Sequence, residues 1–145
     1  MFRVCKDMTR ATFDEPEVNG KPSLRSSSPL LTSYPAPQGP AQLVSRLTLP
    51  DFSALTPGTH IPFTGVLFLS YVPDKRCIDL RTLRMHLTSF RDRQLMEPDA
   101  VQEIATTLIK HLEPWWLELV GQFAPREGIF ITPTATYQRP QEPQA

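Results

Sequence analysis

The sequence predicts an α+β domain, with two helices laid on one face of a four-stranded antiparallel sheet in the order ββααββ. Three observations carry that prediction. Between Gly65 and Phe90, a β-rich apolar run, a Pro73-Asp74 turn and a helical apolar period follow one another without filler. A second helical period, from Val101 to Leu112, comes soon after. Beyond it, Leu117, Leu119, Gly121 and Phe123 recur every second residue, the spacing of one face of a strand. Two helices between two hairpins make one sheet with a single helical layer.

Taken in order, residues 1–40 hold prolines at 16, 22, 29, 35, 37 and 40 and serines at 23, 26, 27, 28 and 33, with no helical or alternating period. That composition buries too little surface to offset its ordering entropy, so a disordered tail is expected, the alternative being that Leu30, Leu31 and Tyr34 dock on the domain. The domain is expected over 41–137. Its first strand runs from Gln42 to Leu49, where Leu43, Ser45 and Leu47 alternate with Val44, Arg46 and Thr48, and stops at Pro50. Asp51 to Thr64, with Pro57-Gly58, reads as a loop. Gly65 to Tyr71 is the second strand.

Leu80, Leu83, Leu87 and Phe90 then mark one face of the first helix, and Asp79 is placed to cap it. Glu97-Pro98-Asp99 opens the second helix, whose apolar face is Val101, Ile104, Ala105, Leu108, Ile109 and Leu112 and which ends before Pro114. Strands Trp116 to Phe123 and Ile129 to Tyr137 flank a turn at Ala124 to Gly128, and 138–145 is a tail.

The 145 residues carry a formal charge of zero, so no global field gathers nucleic acid or an anionic membrane, and one domain is expected. No apolar run approaches the ~20 residues of a membrane helix, and Met1 to Asp7 has no signal-peptide core, which points to a cytoplasmic protein. Cys5 and Cys77 have no metal or disulfide spacing. His60, His86 and His111 share no metal-ligand spacing either, so no metal is expected. Trp115 and Trp116, beside a strand start, read as core or subunit contacts.

The run from Asp79-Leu80-Arg81-Thr82-Leu83-Arg84 to Ser89-Phe90-Arg91 resembles the signature helix of the 7-cyano-7-deazaguanine reductases, the NADPH-dependent nitrile reductases of queuosine biosynthesis. Those enzymes belong to the tunnelling-fold superfamily. The resemblance covers roughly Leu47 to Tyr137. It implies a tunnelling fold assembled into an oligomeric barrel, and hence a homo-oligomer; the unpaired edges of such a sheet point the same way.

In that family a cysteine attacks the nitrile carbon, NADPH delivers hydride and an aspartate moves protons, within a motif close to Cys-Pro-x-Thr-Gly-Gln-Pro-Asp-Phe. A thiol suits the step because its pKa can be brought near neutrality. This chain, aligned without gaps from Leu49-Pro50-Asp51-Phe52, reads Thr56-Pro57-Gly58-Thr59-His60-Ile61-Pro62-Phe63-Thr64. Thr56 stands at the position of the nucleophile, Ile61 at that of the glutamine and Phe63 at that of the aspartate. His60 as a base for Thr56 lacks a third group to orient its ring. Cys77 lies where the family tolerates a cysteine without a catalytic part.

The resemblance implies substrate binding by Leu80 and by Glu97, the latter one residue from the family's base-binding glutamate; a one-residue shortening of the Asp92 to Met96 loop would restore the match. It implies that Arg81, Arg84 and Arg126 meet the phosphates of NADPH, for which arginine keeps the charge. The expected function is a catalytically degenerate purine- or pterin-binding protein. An active reductase with another nucleophile and a non-catalytic partner of an intact reductase stay open as alternatives.

Overall fold

Four strands, Ser45–Leu55, Pro62–Val72, Trp116–Phe123 and Thr134–Gln138 in that order across the sheet, form the central antiparallel layer, with both helices against it. The computed structural model of the chain describes residues 30–141, so most of the expected N-terminal tail and residues 142–145 lie outside the described residues. The elements are β1 (Ser33–Pro35), β2 (Ser45–Leu55), β3 (Pro62–Val72), β4 (Arg76–Ile78), α1 (Leu80–Thr88), α2 (Glu97–Leu112), β5 (Trp116–Phe123) and β6 (Thr134–Gln138). β1 and β4 pair in a separate small sheet.

Side-chain alternation decides the layers. Leu67, Leu69 and Tyr71 of β3 and Leu117, Leu119 and Phe123 of β5 are buried on the helical side. They meet Val101, Ile104, Ala105, Leu108 and Leu112 of α2, and Leu83, Leu87 and Phe90 of α1 and the turn after it. Each such leucine contributes roughly 1.5–3 kcal/mol by leaving water, which is what holds a nine-residue helix that would not form alone. Asp79 caps α1, accepting from the Arg81 amide at 3.3 Å, as its position predicts. The αL residue Glu113 ends α2.

Several boundaries differ from the sequence reading, each for a local reason. Strand β2 does not stop at Pro50. The register breaks between Leu49 and Phe52, and Asp51 takes φ 64°, so proline sits in a bulge of an edge strand, where its missing N–H costs no ladder bond. The expected Asp51 to Thr64 loop therefore shrinks to residues 56–61.

Leu80 is not on the buried face. It occupies the first helical position and is 61% exposed. β4 intervenes between the Pro73-Asp74 turn and α1, and it is covered by β1. Among the described residues ahead of residue 41, Leu31 and Ala36 are buried, and Asp79 N donates to Thr32 O. At the other end, Ile129 to Pro133 is irregular and β6 starts only at Thr134. Arg139, just past residue 137, pairs with Asp74 at 3.0 Å and lies over the Trp115 ring.

Candidate functional site

The β2–β3 register sets residues 56–61 at one end of the sheet, and the pairing of Gly65 with Phe123 brings the end of β5 beside the start of β3 at that same end. A Cβ on Gly65 would lie 2.7 Å from the Gln122 carbonyl oxygen, so glycine is what permits this close strand approach. The segment joining α1 to α2 arrives there too, because Leu55 N donates to Arg93 O and Leu95 N to Leu55 O. Three loops and the first turn of α2 thus share one end of the sheet.

Glu97 is the buried charge of this region. Its side chain is 3% exposed and its Oε2 lies 2.8 Å from Arg126 Nη2, contributed by the turn after β5. Arg126, one-third exposed, also stands 5.8 Å from the centroid of the Phe63 ring. A carboxylate this far from water needs such a partner, because an unpaired buried charge is expensive. Phe63 is buried, and its ring meets Phe123 edge-on at 5.6 Å, so the position the sequence aligns with an aspartate is a packing position in this fold.

Thr56 is half-buried at the start of the β2–β3 loop, with its amide donating to Ile61 O and its carbonyl accepting from His60 N, both at 2.9 Å. His60 adopts φ 61°, a conformation that favours glycine, at the motif position where the reductases carry glycine. Its ring faces Gln94 rather than a carboxylate: the two Nε2 atoms are 2.8 Å apart. Gln94 Oε1 in turn accepts from the Gly58 amide at 3.3 Å.

The structure brings together Glu97, Arg126 and Phe63, and ties the Thr56 loop to the α1–α2 segment through Gln94. The three arginines have different surroundings. Arg81 and Arg84 are exposed on α1, where Arg84 donates to the Pro50 carbonyl at 3.0 Å, whereas Arg126 is engaged by Glu97. Exposed Leu80 is at the first position of that helix, beside Arg81.

Sequence reasoning missed the Glu97–Arg126 pair, whose partners lie 29 residues apart, and missed Gln94 altogether. The opposite charges at two turn positions were a weak signal for the first. Nothing in the local pattern singles out Gln94. Among the described residues, no three His, Cys, Asp or Glu side chains come together, and no helix is long and apolar enough to cross a membrane.

Residues 62–142 match the family described as "QueF-like protein", more than half of the chain. The NADPH-dependent 7-cyano-7-deazaguanine reductase of Alkalilimnicola ehrlichii is 32% identical over 110 residues, covering 76% of this chain and 85% of that protein. Its namesake from Streptococcus mutans is 36% identical over 95 residues, 66% of this chain and 59% of the longer relative. The archaeosine synthase QueF-Like, solved in the apo form, superposes with a TM-score of 0.60 over 72% of this chain and all of its own. At 10% identity, that likeness speaks for the fold alone. By the family match and these identities, the chain belongs to the QueF-like family of 7-cyano-7-deazaguanine reductases, and its fold is theirs.

Proposed function

We propose that this chain is a catalytically degenerate member of its family that retains a site for a purine- or deazapurine-like base at Glu97. The observation that carries the reading is the buried carboxylate of Glu97, held among the described residues by a guanidinium that is itself one-third exposed. A ring N–H and an exocyclic amine offer the same donors as Arg126, so a base can take over the carboxylate while Arg126 turns to solvent. The exchange keeps the buried carboxylate hydrogen-bonded.

The reacting groups are the other half of the proposal. A threonine hydroxyl without a positioned base is a poor nucleophile at neutral pH, and the His60 ring is directed at Gln94. Phe63 has no proton to transfer and is packed against Phe123. The relatives' names state NADPH dependence, which in such an enzyme supplies hydride. In this chain, Arg81 and Arg84 fit a phosphate as exposed cations, whereas Arg126 fits the role of Glu97's counter-ion.

The test is calorimetry with 7-cyano-7-deazaguanine. Glu97→Gln replaces an acceptor edge with a mixed one, and losing a charge-assisted bond costs about 1.5–3 kcal/mol, so affinity should fall about tenfold or more. Unchanged binding in a folded Glu97→Gln protein would remove the base-binding role.

A further inference from the structure

Arg126 reaches two groups of opposite character. Its Nη2 donates to Glu97 Oε2 at 2.8 Å, and its Cζ stands over the Phe63 ring, 5.8 Å from the centroid. A guanidinium is flat and donates in its own plane, as the hydrogen-bonding edge of an aminated base does. We propose that the Arg126 guanidinium is an internal occupant of the base site, a stand-in that the ligand displaces, and that Phe63 is the surface on which the ligand's ring then lies.

The two contacts of Arg126 differ in strength. At 5.8 Å the ring is near the outer reach of a cation–π contact, so the pair with Glu97 is what holds the guanidinium in place. An aromatic base gains more from the same ring, because two π-systems can stack in full contact. Phe63 is suited to this because it is buried and its edge-on contact with Phe123 at 5.6 Å fixes its orientation. Where the reductase motif has an aspartate, this chain offers an aromatic face.

Displacement needs no movement of the backbone. Arg126 N donates to Ile129 O at 3.0 Å and Ile129 N to Arg126 O at 2.8 Å, closing a turn whose central residues, Glu127 and Gly128, have φ 54° and 72°. Two central residues at positive φ mark a tight hairpin turn of primed type, which anchors the Arg126 main chain. Its side chain is 35% exposed, so rotation about its own bonds carries the guanidinium into water. The role rests on the base-binding reading above, and it has a consequence opposite to that of a supporting residue: removing Arg126 tightens binding.

The experiment is calorimetry of 7-cyano-7-deazaguanine on the folded full chain and on its Arg126→Ala and Phe63→Leu variants, with the ligand's one carbon-bound ring proton followed by NMR. Arg126→Ala should bind about tenfold more tightly, because the site no longer has to be emptied first. Phe63→Leu should bind about tenfold more weakly, the loss of one aromatic stacking partner. The upfield shift that the Phe63 ring imposes on the bound proton should disappear with it. Millimolar methylguanidine should raise the urea midpoint of Arg126→Ala by refilling the vacated position and leave the unaltered chain unchanged, a readout that needs no base.

Binding that weakens or stays constant in Arg126→Ala, no upfield shift in the complex of the unaltered chain, or no gain with methylguanidine would each overturn the stand-in. Glu97→Gln separates the two readings. Base binding that needs Glu97 but weakens in Arg126→Ala makes Arg126 a partner of the ligand and removes the stand-in alone. Base binding unchanged in Glu97→Gln removes the base site itself, and the stand-in with it.

Discussion

Arg126→Ala tests the energetic centre of the site. The substitution removes the side chain that, among the described residues, pairs with Glu97, and leaves a carboxylate with 3% exposure without that partner. Breaking a fully buried pair from one side costs about 3–5 kcal/mol. Because Arg126 is 35% exposed, water can follow the truncation, and about 2–3 kcal/mol is the reasonable expectation.

The charge, more than the lost contact area, should carry that cost. Glu97→Gln in the same background leaves a neutral amide and should recover most of it, so a double-mutant cycle should show strong coupling. Urea unfolding at pH 7 reads this as a fall in midpoint at constant slope. A loss below about 0.5 kcal/mol, or additive single and double variants, would show that Glu97 is adequately solvated or otherwise paired. The base-exchange reading would then lose its physical basis.

Other expectations follow from the same geometry. The Thr32 hydroxyl and the first α1 amides hold the Asp79 carboxyl below the usual range, so its contribution to stability is present above the unfolded-state value and lost as pH falls through the folded one; Asp79→Ala should flatten that acid limb in a series of melts. Burial pushes the His86 imidazole down, and among the described residues neither ring nitrogen has a partner, so the unfolded chain takes up the proton first and stability falls as pH drops below the ordinary histidine range; His86→Leu should remove that slope without loss at pH 8. Gly65→Ala should cost about 1–3 kcal/mol in urea unfolding, since the new methyl meets the Gln122 carbonyl. With strand edges open on β2 and β6, light scattering should give a mass several times that of one chain, and a monodisperse monomer would remove the barrel expectation.

The order of the sheet and helices was legible because it rests on long apolar periods. Leu117 to Phe123 and Val101 to Leu112 lie where their spacing puts them, and the cap at Asp79 was visible from one residue type at one position. Pro50 misled because proline signals a strand end by chemistry, while a bulge on an edge strand cancels the objection, and a bulge has no period to read. Leu80 misled because a helix's first position can join the apolar pattern yet face solvent.

The site was less legible than the fold. Thr56, Phe63 and Glu97 could be singled out by their alignment to a motif, but their environments depend on which loops share an end of the sheet. Glu97 meets Arg126 across 29 residues, and Gly58 meets Gln94 across 36. Such contacts come from strand register, through pairs such as Gly65 with Phe123, and no local composition encodes them.

The central claim is that the site keeps a base-binding carboxylate without a working nucleophile. Intact-mass spectrometry of the folded chain after incubation with 7-cyano-7-deazaguanine, with NADPH absorbance followed in parallel, tests it most directly. The account predicts an unchanged protein mass and no oxidation of NADPH, because the Thr56 hydroxyl lacks a base and Phe63 cannot deliver a proton. A covalent adduct, or steady loss of NADPH absorbance that depends on the nitrile, would contradict it.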